Sequence, residues 1–313
     1  MKNIIIIILT LIILIGCSNK EHRPTRAKQK ICISFDGSRS VRSWNKILNF
    51  SQSITNKDIK FTFFISSVYF ITYSNTDLYD SPVKKKSWIG YSRDTNYLKR
   101  RVDCVKKAIS LNHEIGSHAC GHHDGSKWTY DQWKTEFTSF HFILSNISKN
   151  NNIEERYDLK IKIKGFRSPL LAKNDNMYRV LKDFGYDYDC SSIGYVTNDV
   201  HKKDGIWRFP LLMMKISNKR ILTMDYNWYY YHGIKSDNTN KYEDWENQVF
   251  LAYSSLFKRS YEGNRYPISI GHHFSVWNGD IYFRALCRFI IMVSEYDDVE
   301  FITYSELVKG MKK

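Results

Sequence analysis

The spacing of apolar and polar positions changes several times along the chain. In residues 30–36, Ile31, Ile33 and Phe35 alternate with Cys32, Ser34 and Asp36, a period of two that predicts a strand ending in an acid. Short apolar runs at 60–67, 160–166, 186–192, 267–274 and 299–304 read as further strands. Between them the period lengthens. Leu98, Val102, Val105 and Ile109 recur at helical spacing and predict a helix over 95–111. Similar patterns predict helices at 41–57, 129–149, 174–184, 244–258 and 281–295. Residues 206–232, rich in aromatic and β-branched side chains, predict one or two strands. Residues 69–94 form a long surface excursion and 150–159 a polar loop. Strands alternating with helices imply an α/β fold built on a mainly parallel sheet or barrel.

The first residues follow a different pattern. Lys2 precedes a nearly unbroken apolar run over 4–15, shorter than the roughly twenty residues that span a bilayer, and the run ends Leu14-Ile15-Gly16-Cys17. This resembles the lipobox of bacterial lipoproteins. It implies a signal peptide over 1–16, lipidation of Cys17, a polar tether over 17–29 and a folded domain over 30–313. The protein is then expected in the cell envelope, anchored to a membrane and facing the periplasm or cell wall. With Cys17 modified, five of the six cysteines remain, with no Cys-x-x-Cys spacing, so a disulfide framework is not expected. The net charge of +15 is scattered along the chain. It suits an anionic envelope polymer or a membrane surface, and the leader argues against nucleic acid as a partner.

Residues 113–125 concentrate the candidate chemistry. Four of the ten histidines, His113, His118, His122 and His123, lie here. On a helical turn the four-residue spacing of His118 and His122 places both imidazoles on one face, where they could share a metal ion. Small neighbours (Ser117, Ala119, Gly121) leave room for a ligand, and Cys120 reads as apolar filler. Asp36, His118, Arg167, Asp189 and the His272-His273 pair all fall at predicted strand ends, where sites gather in such folds.

Taken in order, these segments resemble the polysaccharide deacetylases, carbohydrate esterase family 4 or the NodB-homology group. Ile33-Ser34-Phe35-Asp36-Gly37 resembles the family's Thr-Phe-Asp-Asp-Gly, and 113–122 its His-Glu-Ile-Gly-Asn-His-Thr-x-x-His. Arg167-Ser168-Pro169 resembles its Arg-x-Pro, 185–192 its Gly-Tyr-x-Tyr-Asp-Ser-Ser strand, and His272-His273 its late histidine. The resemblance implies a distorted (β/α) barrel that removes N-acetyl groups from amino sugars. It implies one divalent metal, zinc in most members, held by an Asp-His-His set, here Asp36, His118 and His122. It also implies a backbone oxyanion donor at Leu170 and a histidine acid at His272 or His273. Such chemistry requires an activated water, a stabilised oxyanion and an acid for the leaving amine.

The chain departs from the family at one point. Where the family has two adjacent acids, base then metal ligand, Asp36 is followed by Gly37. Strand alternation aligns Asp36 with the base. Completing the metal set assigns it instead as a ligand and leaves Asp124 or Asp189 as the base, with Arg167 orienting whichever carboxylate serves. In the late strand, Ser269, Gly271 and His273 share the small-residue phase that Asp36 occupies in the first, which favours His273 over His272 as the acid. Aromatic residues make up 15% of the chain, and Trp128, Trp228, Tyr229, Tyr230, Tyr231 and Trp277 lie near the motifs as candidate sugar platforms. The expected activity is N-deacetylation of an envelope glycan, peptidoglycan first and a secreted N-acetylglucosamine polymer second. The competing expectation is a glycan-binding lipoprotein that lost its activity with the second acid.

Overall fold

The computed structural model describes residues 26–84, 86–195 and 200–311. The expected leader over 1–16, Cys17 and most of the tether lie outside the described residues.

The chain begins with β1 (Gln29–Gly37), α1 (Val41–Ser53), β2 (Phe61–Ile65), α2 (Thr95–Ser110) and β3 (Glu114–Ser117). It continues with α3 (Tyr130–Ser145), α4 (Ile147–Asn150), β4 (Gly165–Phe166), α5 (Asp175–Asp183), β5 (Tyr188–Asp189) and β6 (Ile193–Gly194). Next come β7 (His201–Lys203), β8 (Ile206–Arg208), β9 (Leu211–Ile216), β10 (Lys219–Leu222) and α6 (Asp225–His232). The chain ends with α7 (Tyr242–Glu262), β11 (Ile268–His273), α8 (Trp277–Ser294), β12 (Val299–Phe301) and α9 (Tyr304–Met311). Among the described residues nine strands form one sheet in the order β11-β1-β2-β3-β4-β5-β8-β7, with β12 also on β1. Its pairings are parallel except for β7 with β8. A second sheet, β10-β9-β6, lies beside it. The curled parallel sheet makes a distorted (β/α) barrel.

The alternation in β1 separates the two faces of the sheet. Ile31, Ile33 and Phe35 join the main core with Trp44, Ile47 and Leu48 of α1 and Phe289 and Ile290 of α8. Each such side chain, once fully buried, contributes roughly 1.5–3 kcal/mol. On the other face Cys32 packs with Phe64, Tyr188, Cys190, Phe209 and Tyr304, plugged by Leu307 and Val308 of α9. Glu114 ties that plug down by accepting a hydrogen bond from the Ser305 backbone at 3.1 Å. Local signals set the helix starts. The Ser40 side chain caps α1, Asp94 caps α2, and Thr129 with Gln132 forms a capping box on α3.

Four expectations are corrected. The segment 160–166 forms a strand only at its last two residues, and 186–192 only at Tyr188–Asp189. Residues 206–232 supply three strands where one or two were expected, and end in α6, whose aromatic run carries no clear polar face to announce a helix. The histidine stretch is not helical past β3. Ala119 and His122 both adopt left-handed conformations, φ 58° and 60°.

Glu136 of α3 holds that loop from beneath. Fully buried, it accepts the N–H groups of Cys120 (2.7 Å) and Gly121 (2.9 Å) on one oxygen and the Tyr79 hydroxyl on the other. Gly121 is required there, because a Cβ would sit 2.5 Å from the Tyr79 hydroxyl. Glu136→Ala would strand two buried N–H groups and a phenol. It is expected to cost about 3 kcal/mol in urea unfolding, whereas Glu136→Gln, which keeps an acceptor, costs about 1 kcal/mol.

Candidate functional site

The site forms at the C-terminal ends of β1, β3, β4 and β11. In the parallel register of β1 and β11, Asp36 pairs with His273 and Phe35 with His272. Partners in register share a face, so Asp36 and His273 lie side by side over the barrel interior. His272 turns into the core, where it packs against Phe35 and meets the Tyr253 hydroxyl at 3.2 Å. Burial lowers its pKa to about 4.

Arg167, just after β4, crosses to β1. Its Nη1 donates to Asp36 Oδ1 at 3.0 Å and to Ser34 Oγ at 2.7 Å, and its Nε donates to the Cys190 carbonyl at 3.2 Å. Arg167 and Asp36 are both buried, and the guanidinium lies 4.6 Å from the Phe64 ring centre. A fixed cation bonded to one carboxylate oxygen orients the other. Asp36 thus stands in the Arg-paired position expected of a base.

His118 and His122 converge through the left-handed turns of their loop, not through a helix, and their rings lie 5.1 Å apart. His118 Nδ1 contacts the Arg167 carbonyl at 2.7 Å, which fixes that nitrogen as the N–H and leaves Nε2 as an acceptor. Burial holds the pKa of each histidine at about 3, so both are neutral. In type and protonation state the pair suits a divalent cation. The third donor is not in place. Asp36 lines the same cavities with one oxygen bonded to Arg167, but among the described residues no three His, Cys, Asp or Glu side chains come together in a metal-holding arrangement. The residues present therefore do not fit the Asp-His-His centre that the resemblance implies.

The alternative bases lie elsewhere. Asp124 is at the surface, accepting a hydrogen bond from Ser126 N at 2.9 Å, which lowers its pKa. Asp189 is fully buried, accepting hydrogen bonds from Ser191 N (3.1 Å) and Oγ (2.5 Å) and from Tyr178 OH (3.2 Å). Burial raises its pKa despite those bonds. Neither residue lines either of the two cavities described below that Asp36 lines. Asp189 instead buttresses the Arg167 turn, since Ser191 Oγ accepts the Ser168 N–H at 2.7 Å.

Sequence reasoning missed Asp225. It opens α6, is fully buried, and accepts His273 Nδ1 at 2.6 Å and the His273 backbone N–H at 2.8 Å. Burial opposes the charged imidazolium of His273, but Asp225 outweighs it and the pKa of His273 is raised. Burial likewise opposes the Asp225 carboxylate, and His273 reverses that and lowers its pKa. The available signal was a lone acid, Asp225, directly before the aromatic run Tyr226 to Tyr231.

Two cavities flank the cluster, and Asp36, His118, His122, His273 and Trp277 line both. One, of about 540 Å³, is walled by Arg39, Arg42 and the serines 38, 40, 43 and 275 together with Tyr69, Ile89, Phe274 and Val276. The other, of about 550 Å³, is walled largely by Leu170, Leu171, Ile193, Leu222 and Met224. Trp277 stacks on Tyr229 with centroids 4.8 Å apart, so its ring is braced between the cavities. Of the other rings singled out, Trp228 and Trp128 are buried and Tyr230 is exposed outside both cavities.

A family sequence model described as polysaccharide deacetylase matches residues 23–188, just over half of the chain. No curated protein matches the chain by sequence. Among solved structures, a putative polysaccharide deacetylase from Mycobacterium smegmatis is 14% identical, with a TM-score of 0.58 and 92% of each chain covered. Puue allantoinase is 15% identical, with a TM-score of 0.54 and 90% of each chain covered. At this identity both show the fold.

The incomplete donor set makes a measurable expectation. Built centres with a full ligand set bind zinc with about 10–16 kcal/mol, so the two-histidine pair is expected to bind it only on the order of micromolar in a competitive titration at pH 7. One equivalent held at nanomolar affinity, and lost in His118→Ala, would show instead that Asp36 leaves Arg167 to join the pair.

Proposed function

The chain belongs to the polysaccharide deacetylase family, and on that premise we propose that it hydrolyses N-acetyl groups of an envelope glycan, peptidoglycan amino sugars before a secreted N-acetylglucosamine polymer. One observation carries the reading: Asp36 and His273 stand side by side, each held by a buried partner of opposite charge, Arg167 and Asp225. In this reaction Asp36 takes a proton from the attacking water. The water oxygen bonds to the acetyl carbon, and the backbone N–H of Leu170 faces the developing oxyanion. The C–N bond then breaks as His273, charged and held by Asp225, gives its proton to the leaving amine, releasing acetate. Neutral His118 offers Nε2 as an acceptor beside the water. The zinc implied by the family resemblance has only two of its expected donors, so the roles assigned here are those of the chain's own side chains.

The leader, with a lipid on Cys17, would tether this domain at the outer face of the cytoplasmic membrane. A basic enzyme there meets anionic wall polymer first. The braced ring of Trp277 suits stacking on a sugar. A second reading, a glycan-binding protein on the same fold, is favoured by the missing third metal donor.

The test is acetate release by the purified protein from peptidoglycan and from chitin oligomers. Release is expected, falling about 100-fold or more in His273→Ala. A raised His273 pKa means the acid form persists above the usual histidine value near 6.5 and is lost as pH rises past the folded-state value. Asp225→Asn is therefore expected to move the alkaline limb of kcat/KM to lower pH. No acetate from any N-acetylated glycan, with glycan binding retained, would leave the second reading.

A further inference from the structure

The two cavities that share the cluster differ in their polar side chains, although apolar residues line both. One of them brings guanidinium and hydroxyl groups, from Arg39, Arg42 and four serines, in among Ile89, Phe274 and Val276. Sugar hydroxyls removed from water require such partners. On the other side the wall is aliphatic. Leu222 and Met224 belong to a small apolar cluster behind the second sheet, against which Leu171 packs. Ile193 and Leu170 stand over the mouth, 54% and 58% exposed.

The backbone under this wall is unusual. Leu170 and Leu171 are consecutive residues in the left-handed region, φ 56° and 55°. Left-handed backbone costs a branched L-residue roughly 1 kcal/mol or more, and such outliers cluster at ligand sites. An acetyl methyl group needs little of this space. A cavity of about 550 Å³ falls in the range that encloses a drug-sized ligand.

We propose that the aliphatic cavity is an acyl pocket, and that the preferred substrate is an amino sugar whose N-acyl chain is longer than acetyl, on the order of four to eight carbons. This rests on the hydrolase reading for what is cleaved, but not for what is bound. The sugar lies toward Arg39 and Arg42, the amide carbon lies over Asp36 and His273, and the chain runs along Leu170, Ile193 and Leu222. Water adds to the acyl carbon and the C–N bond breaks. The chain leaves as a fatty carboxylate, and the sugar amine takes the proton held at His273.

Each methylene partly buried against such a wall strengthens binding about threefold, so two carbons give about tenfold. Calorimetric titration with N-acetyl-, N-butanoyl- and N-hexanoylglucosamine is expected to show affinity rising about tenfold per step. Ile193→Asn, at an exposed position, is expected to cut the hexanoyl-to-acetyl affinity ratio from about 100 to below 10. Leu170→Asn, a residue that tolerates the left-handed backbone, is expected to do the same if Ile193→Asn does not fold. Ile291→Asn, an exposed apolar residue on α8 away from the cavity, is expected to leave the ratio as in the wild type. Equal affinity for the three sugars, or a ratio that survives both wall substitutions, overturns the proposal even if acetate is released. Affinity that climbs with chain length while no acyl group is released upholds the pocket and rejects the hydrolase reading.

Discussion

A guanidinium buried in the mouth of a barrel must be neutralised where it stands, and Arg167 is neutralised by Asp36. Desolvating two charges costs several kcal/mol each. The pair is tolerable only because Ser34, the Cys190 carbonyl and the Phe64 face share the load. That constraint sets much of the site. It ties β4 to β1 across two intervening strands, turns one carboxylate oxygen away from the mouth, and presents the Arg167 carbonyl to His118. One residue thereby sets the orientation of the candidate base and the tautomer of a neighbouring histidine.

The same logic recurs around the rim. Asp225 holds His273 by two bonds, Asp189 holds the turn that carries Ser168, and Glu136 holds the turn between His118 and His122. Each is a buried acid on a different element, and each satisfies groups that irregular backbone would otherwise leave unpaired. Loops with left-handed residues at Ala119, His122, Leu170 and Leu171 remain in place because these acids and the packed core over-determine them. The arrangement leaves the Asp-His-His set one donor short among the described residues, because Asp36, fixed through one oxygen by Arg167, does not group with the two histidines.

Substrate polarity follows from which elements reach the rim. The loop after β1 and the first turn of α1 bring arginines and serines, whereas the second sheet and the turn after β4 bring leucine, isoleucine and methionine. The cluster sits on the boundary between the two, where an amide joining a polar sugar to an apolar chain would lie.

The alternation Ile31, Ile33, Phe35 against Cys32, Ser34, Asp36 is a local property of an extended chain, so it was legible without a fold. It placed Asp36 toward the barrel interior and, applied to 269–273, put His273 in the same phase. Motif order made the barrel legible in the same way, and apolar spacing alone placed the helices whose starts Ser40, Asp94 and Thr129 cap. The partners of these residues were not legible. Arg167 chooses Asp36 over Asp189 because of where β4 and β1 stand in the curled sheet, 131 positions apart in the chain. Asp225 reaches His273 across 48 positions from a helix that reads as a strand. The His118–His122 spacing suggested a helical turn, but Glu136, contributed by a later helix, fixes a left-handed loop instead. Period and capping are set by adjacent residues and can be read along the chain. Pairing of buried charges is set by which strands become neighbours, and only the folded sheet decides that.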